Sequence, residues 1–220
     1  MKKYQIILII VFTAVVGIVI IGRTTNALQF YSIPTRSNEP TFKNGSLVMG
    51  SNLKTPKRMD FICYKSTVPE YINQVWFHRL VGLPGDTVLI KNGDLFINGI
   101  SQDLTMNLKK EYIIHRDLAA TLNFSEDEAI PKGATDSLIV VLETIAQKDI
   151  IKQGQLYINY NEDEEIKKQY GQPWTTYNFG PYVVKANNYF VLGDNRYRSM
   201  DSRYSGPVKK ENYVSTMFRK

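Results

Sequence analysis

Three polar stretches of the sequence carry side chains that could perform chemistry. Residues 34–41 read PTRSNEPT, residues 78–86 read HRLVGLPGD, and residues 193–203 read GDNRYRSMDSR. A serine in a rigid loop flanked by prolines, such as Ser37, can act as a nucleophile if a base lies within hydrogen-bond distance. His78 is the candidate base, and the hydroxyl of Thr35, two residues before the serine, can help to stabilise an oxyanion.

Taken singly, these residues have simpler interpretations. A serine in a proline-rich loop is usually a turn former, and a histidine that follows Trp76 and Phe77 is usually a packed ring. His115, the second histidine, is predicted to lie at the surface. The single cysteine, Cys63, cannot form an internal disulfide and is predicted to be a small apolar core residue. The chain has no ligand spacing typical of zinc.

The composition indicates a globular, mainly β protein. A chain of 220 residues, 43% of them hydrophobic, suits one sizeable domain or one domain with a large insertion. Abundant Tyr, Ile and Val, together with recurrent turn dipeptides, favour strands over helices. The net charge is +6, but the basic residues are scattered. This pattern argues against nucleic acid as a partner and is compatible with weak attraction to anionic lipid headgroups.

The elements that must position the polar stretches are short strands. Strands are predicted at residues 46–49, 60–65, 75–81 and 189–192, and Asn92-Gly93 predicts a hairpin within residues 87–100. Asn44-Gly45 is a second hairpin signal. Residues 101–180 differ from the rest in composition. They contain an acidic cluster at 161–165 and a segment, 137–147, whose pattern fits helix or strand. The sequence therefore predicts a β core from residues 23–100 and 181–220, with residues 101–180 as an inserted lobe.

An apolar segment precedes this core. Residues 4–22 contain no charge, and about 20 apolar residues in a helix span the ~30 Å hydrocarbon core of a bilayer. Lys2 and Lys3 precede the segment and only Arg23 closely follows it, so the positive-inside rule places residues 1–3 in the cytoplasm and the rest outside. A cleaved export signal is the alternative, but its apolar run is usually 7–15 residues. The length favours an uncleaved transmembrane anchor.

Together and in this order, the anchor and the three stretches resemble bacterial type I signal peptidases, membrane-bound serine proteases that remove signal peptides from exported proteins. The similarity covers about half of the chain, mostly the predicted core. The second and third stretches are long and specific. The first is partly degenerate, because Asn38 fills a position where the family usually has methionine.

The resemblance implies a role for each matching residue. Ser37 matches the nucleophile, and Thr35 matches the hydroxyl residue that joins the Ser37 backbone N–H in the oxyanion hole. Ser199 and Asp201 match the groups that orient the general base. Two structural ion pairs are implied, Arg79 with Asp194 and Asp201 with Arg203. No metal and no cofactor are implied.

His78 departs from the bacterial pattern, which has a lysine at this position. A lysine, with a reference pKa near 10.4, must lose roughly 3 pKa units to act as a base at pH 7. A histidine starts near 6.5 and is already mostly neutral at pH 7. The shorter imidazole must, however, be brought closer to Ser37 or reach it through a water.

The resemblance therefore implies a signal-peptide endopeptidase of the inner cell membrane, with its catalytic domain on the outer side and preprotein signal peptides and the lipid bilayer as partners. Small side chains at the first and third positions before the cleavage point are implied. If His78 is not the base, Lys43 and Lys65 are fallback candidates. Two alternatives remain: an inactive relative that binds peptides or a partner, and an anchored β domain of structural use. The oligomeric state is left open.

Overall fold

The computed structural model describes residues 3–25, 27–122, 124 and 128–218. Met1 and Lys2, which belong to the predicted cytoplasmic terminus, lie outside these residues. The helices are α1 (Lys3–Thr24), α2 (Arg116–Ala120), α3 (Lys148–Ile151), α4 (Glu164–Tyr170) and α5 (Ser202–Ser205), with short 3-10 helices at Pro69–Tyr71, Asp103–Thr105 and Lys210–Asn212. The fold is otherwise built from strands.

The strands, in chain order, are β1 (Gln29–Ser32), β2 (Leu47–Ser51), β3 (Phe61–Lys65), β4 (Val75–Gly82), β5 (Thr87–Lys91), β6 (Asp94–Ile97), β7 (Ile100–Ser101), β8 (Lys109–His115), β9 (Ala129–Pro131), β10 (Ser137–Glu143), β11 (Gln155–Leu156), β12 (Phe179–Val183), β13 (Asn188–Leu192), β14 (Val208–Lys209) and β15 (Tyr213–Met217). The strands predicted near residues 46–49, 60–65, 75–81 and 189–192 are confirmed within two residues at each end.

Helix α1 matches the predicted anchor. Its 22 residues rise about 33 Å at 1.5 Å per residue, enough to cross a bilayer core. No residue of α1 is buried against the rest of the chain. The polar group of Thr13 is satisfied within the helix, because its hydroxyl donates to the Ile9 carbonyl at 2.8 Å. The helix therefore presents an apolar surface on all sides, as a membrane-spanning helix does.

A seven-stranded sheet carries the predicted catalytic stretches. Its strand order is β1-β2-β15-β3-β4-β13-β14, and the pairings are antiparallel. Strand β4 lies next to β3 and β13, so His78 and Arg79 come from the middle of the sheet. The chain leaves β13 at Leu192 and enters the polar turn at once. The loop that contains Ser37 connects β1 to β2 at the other end of the sheet order.

Two smaller sheets complete the fold. One has the order β12-β5-β6-β7, and its β5–β6 hairpin turns at Asn92 and Gly93, both with positive φ, as predicted. The Asn44-Gly45 prediction was wrong as a hairpin, because β1 and β2 are joined by a long loop and this dipeptide only turns the chain before β2. The ambiguous segment at 137–147 contains strand β10.

Residues 101–180 contain the third sheet, of order β11-β8-β10-β9. Its apolar side packs into a cluster of its own, centred on Tyr112, Ile114, Val140 and Leu142. The ends of the segment, however, contribute Phe179 and Gly180 of β12 and Ser101 of β7 to the second sheet. The boundaries of the inserted lobe stay a prediction.

Candidate active site

The loop of residues 33–46 that carries Ser37 is held in shape by its own backbone hydrogen bonds. The Ile33 N–H donates to the Ser46 carbonyl at 2.9 Å and closes the base of the loop. Within it, the Phe42 N–H donates to the Asn38 carbonyl at 3.0 Å. The buried Asn38 side chain also donates to the Phe77 carbonyl of β4 at 2.6 Å. The loop is therefore fixed to the strand that carries His78.

The polar turn of residues 193–203 clamps the same loop from the other side. The Asn195 N–H donates to the Ser37 carbonyl at 3.0 Å, and its side-chain amide donates to the Arg36 carbonyl at 3.2 Å. A Cβ on Gly193 would collide with the Ser37 carbonyl and with the Ser199 hydroxyl. Only glycine permits this approach, so Gly193 brings the two serines together.

The hydroxyl of Ser37 contacts Thr35. The two oxygens are 2.9 Å apart, and the Asn38 side-chain nitrogen lies 3.5 Å from the Ser37 oxygen. Among the residues that the structure describes, none accepts a hydrogen bond from the Ser37 backbone N–H. A free backbone N–H beside a hydroxyl is an arrangement that can stabilise an oxyanion.

His78 is buried in the seven-stranded sheet, with 4% of its surface exposed. Its Nδ1 lies 2.8 Å from the hydroxyl of Tyr64 on β3. Within the described chain, Nε2 has no hydrogen-bond partner. The buried side-chain polar atoms without a hydrogen-bond partner in the described residues belong to Asn38, Arg196 and Ser199. Ser37 and His78 make no direct hydrogen bond in the described residues, but both line one cavity.

Burial lowers the pKa of His78 to about 4, against an ordinary value of 6.5. The negative charges of Asp201 and Asp194 partly offset this effect, whereas Arg203 adds to it. The ring is therefore neutral at pH 7, to a greater degree than the reference pKa predicts. A neutral imidazole is the form that can take a proton from a serine.

Asp201 does not contact the imidazole through a hydrogen bond; its oxygens are occupied elsewhere. They accept from the Gly193 N–H at 3.0 Å and from the Arg203 guanidinium at 2.8 and 2.9 Å. Burial alone would raise the pKa of Asp201, but the charge and hydrogen bonds of Arg203 hold it below the usual value. Asp201 is thus a carboxylate that acts on His78 through its charge.

Ser199 also makes no hydrogen bond to the His78 imidazole in the described residues. Its hydroxyl is buried and has no partner in the part of the chain that the structure describes. The role of Ser199 and Asp201 as direct orienting partners stays a prediction. The group at hydrogen-bond distance from the ring is Tyr64.

The second ion pair joins the sheet to the polar turn. Arg79 Nη2 lies 2.5 Å from Asp194 Oδ2, and Arg79 Nε lies 2.7 Å from Asp194 Oδ1. Thr41, at the end of the serine stretch, donates to the same carboxylate. A bidentate pair of this kind fixes orientation as well as distance. The three polar stretches are therefore connected at the Asp194 carboxylate.

These groups face a cavity of about 410 Å³. Ser37, Thr35 and His78 line it, and its apolar walls include Ile33, Phe77 and Met200. Lys43 and Lys65 do not line it, and both are exposed.

The other candidate reactive side chains take no part in this arrangement. Cys63 is among the residues that line the cavity, but burial raises the pKa of its thiol to about 12, so the thiol stays protonated. His115 is exposed, as predicted. The described residues contain no cluster of potential metal ligands.

Sequence reasoning missed Tyr64 and the steric role of Gly193. Tyr64 lies on β3, where Ile62 pairs with His78 and Tyr64 pairs with Trp76. Side chains two residues apart on a strand share a face, so Tyr64 is a diagonal neighbour of His78. Only the pairing register, which the sequence does not state, reveals this contact.

A serine and a neutral histidine beside an apolar-walled cavity are groups that a hydrolase can use. Comparison with known proteins specifies the class. The sequence model of the family described as signal peptidase, peptidase S26, matches residues 4–141 and 143–219. The chain belongs to this family of serine proteases, which cleave signal peptides from preproteins.

Individual relatives agree. Signal peptidase I of Buchnera aphidicola subsp. Baizongia pistaciae is 29% identical over 92% of this chain and 72% of its own length. Signal peptidase I of Aquifex aeolicus is 28% identical over 86% and 74%, and signal peptidase I V of Bacillus subtilis is 24% identical over 92% of each chain. A crystal structure of a signal peptidase I from Enterococcus faecalis is 28% identical, covers 75% of this chain and 98% of its own, and superposes with a TM-score of 0.39.

Proposed function

We propose that this chain cleaves signal peptides from exported preproteins, with Ser37 as nucleophile and His78 as general base. The observation that carries the proposal is the shared cavity. Ser37, Thr35 and His78 border the same space, which is large enough for several residues of an extended peptide.

In the proposed reaction, the Ser37 oxygen attacks the scissile carbonyl while its proton passes to His78 Nε2. The two side chains are not in direct contact, so a bridging water or closure around the substrate completes the path. Loose catalytic contacts are common in substrate-free enzymes. The Thr35 hydroxyl and the Ser37 N–H stabilise the oxyanion. His78 then protonates the leaving amine, and water hydrolyses the acyl-enzyme.

The apolar walls favour a substrate with small uncharged side chains next to the cleavage point. Ile33 and Met200 line the same cavity as Ser37, and burying a charged side chain against such apolar walls costs desolvation free energy. We therefore expect small residues at the first and third positions before the scissile bond.

In this proposal, the site lies at the outer face of the inner membrane. We expect helix α1, with Arg23 in its last turn, to cross the bilayer once with its N-terminus in the cytoplasm. Ser37 follows Arg23 by 14 residues, which span at most about 50 Å when fully extended. A signal peptide held in the same bilayer would present its cleavage point at a similar depth.

The test uses the full chain in detergent micelles with a preprotein substrate. Ser37→Ala and His78→Ala should each lower cleavage by a factor of about 10³ or more. Ser46→Ala, in the same loop, and His115→Ala, at the surface, are the matched controls and should leave the rate unchanged. Full activity in Ser37→Ala would refute the nucleophile, and full activity in His78→Ala would point to a lysine base.

The missing direct contact between Ser37 and His78 supports a second candidate, a protein that binds signal peptides without cleaving them. In that case the unaltered chain would bind a labelled signal peptide, and no Ser37-dependent product would form. Binding that survives in Ser37→Ala together with an inactive parent would favour this candidate.

A further inference from the structure

The contact between Tyr64 and His78 has a chemical consequence for the proposed base. A neutral imidazole carries one proton, on Nδ1 or on Nε2. If the Tyr64 hydroxyl donates to Nδ1, the imidazole proton sits on Nε2, which is then a donor. If Nδ1–H donates to the Tyr64 oxygen, Nε2 carries a lone pair. Only this second arrangement can take the Ser37 proton.

No other group competes for Nδ1. Asp201 is occupied by Arg203 and the Gly193 N–H, and the Ser199 hydroxyl has no partner among the described residues. Tyr64 is itself buried, with 3% of its surface exposed. The phenol is therefore fixed beside the ring, and the orientation of the imidazole depends on it.

We infer that Tyr64 is the positioning residue of His78: its phenol holds Nδ1 at 2.8 Å, and its oxygen accepts Nδ1–H in the tautomer whose Nε2 lone pair takes the Ser37 proton. The inference rests on the proposed function. When Nε2 takes the serine proton, the ring becomes an imidazolium, and its Nδ1–H bond to the phenol strengthens because the donor is now charged. The contact thus stabilises the transition state more than the resting enzyme, which is the condition for a contribution to rate.

The effect of Tyr64 on the imidazole can be distinguished from the effects of the charged groups around it. Asp201 and Asp194 favour the imidazolium, Arg203 disfavours it, and all three act through space. Tyr64 is neutral, since burial raises its pKa well above 10. Removing its hydroxyl changes no charge, so any effect on the ring comes from the lost hydrogen bond.

The test is Tyr64→Phe, which removes one oxygen and keeps the ring that packs against Trp76 and His78. We expect kcat for cleavage to fall about tenfold or more, with KM nearly unchanged. The acid limb of the pH–rate profile should move to lower pH, because the imidazolium loses its acceptor. Tyr213→Phe is the matched control: this phenol lies in the same sheet and bonds to Lys54 and Thr216 instead.

Nitrogen-15 NMR of labelled histidine gives a readout independent of turnover. At pH 7 the shifts of His78 in the Ser37→Ala protein should report a proton mainly on Nδ1, and Tyr64→Phe should change that distribution. Unchanged kcat, pH profile and shifts in Tyr64→Phe, in an active parent enzyme, would overturn the inference. A parent chain without Ser37-dependent cleavage would overturn the proposed function instead. Shifts that report Nε2–H in both proteins would also contradict the positioning role.

Discussion

Two regions of the site differ in how their polar atoms are satisfied. Behind the reacting groups, Arg79 with Asp194 and Arg203 with Asp201 form short, multiply bonded ion pairs. At the reacting edge, the Ser199 hydroxyl, the side-chain amide oxygen of Asn38 and His78 Nε2 lack partners among the described residues. Burying a polar atom without a partner costs free energy, so proteins usually avoid it.

The difference indicates that the two regions have different functions. The Arg79–Asp194 pair joins β4 to the polar turn and the Arg203–Asp201 pair stabilises the turn itself, whereas Asn38 and His78, which line the cavity, leave hydrogen-bonding capacity beside it. A substrate, or the transition state, can use that capacity without first breaking an internal bond. Substitutions in the two regions should therefore affect stability and activity in opposite proportions.

The largest effect on stability is expected from Asp201→Asn. The change keeps the shape but leaves the fully buried Arg203 without its charge partner, so the free energy of unfolding should fall by about 3–5 kcal/mol. Chemical denaturation of the full chain in micelles measures it. Asp117→Asn is the control, because that carboxylate is 92% exposed and should change stability by less than about 0.5 kcal/mol. Equal losses of stability in Asp201→Asn and Asp117→Asn would contradict a stabilising role of the buried ion pair.

The second effect is acid sensitivity from His78. Its pKa is about 4 when folded and near 6.5 when unfolded, so below pH 6.5 the unfolded chain binds the extra proton. Stability due to the neutral ring is complete above pH 6.5 and is lost as the pH falls toward 4, by roughly 3 kcal/mol.

Glu111 opposes this trend. Burial raises its pKa to about 7, so its contribution to stability is present at low pH and is lost as the pH rises through 7. The measurement must therefore compare the parent with His78→Gln between pH 7 and 4.5, since Glu111 contributes to both. The parent should lose more stability than the variant over this range, and His115→Gln should behave as the parent. Parallel pH curves for parent and His78→Gln would mean that His78 is not held neutral by burial.

The sequence predicted the parts of this molecule that depend on local pattern. The alternating residues around Asn92-Gly93 fix a hairpin, and the apolar run before Arg23 fixes a helix. The three polar stretches also led to Ser37 and His78. The Tyr64 contact was out of reach, because it depends on the register between β3 and β4. The lowered pKa of His78 was missed for the same reason: burial is set by strands distant in sequence.

The smallest and most discriminating prediction compares two buried serines. The Ser199 hydroxyl has no described partner, whereas the Ser202 hydroxyl accepts from the Val191 N–H at 3.0 Å. Ser199→Ala removes a buried polar group that gains nothing, so stability should stay the same or rise by up to about 1 kcal/mol. Ser202→Ala leaves a buried N–H unsatisfied and should cost about 1–3 kcal/mol.

Activity should show the reverse order. If Ser199 contacts the imidazolium during the reaction, Ser199→Ala will lower kcat up to about tenfold while the protein stays folded. Ser202→Ala should retain the kcat of the parent at a temperature where it is fully folded. A stability loss in Ser199→Ala equal to that in Ser202→Ala would show that the hydroxyl already has a partner in the resting protein, and the reacting edge would then be as fully bonded as the framework behind it.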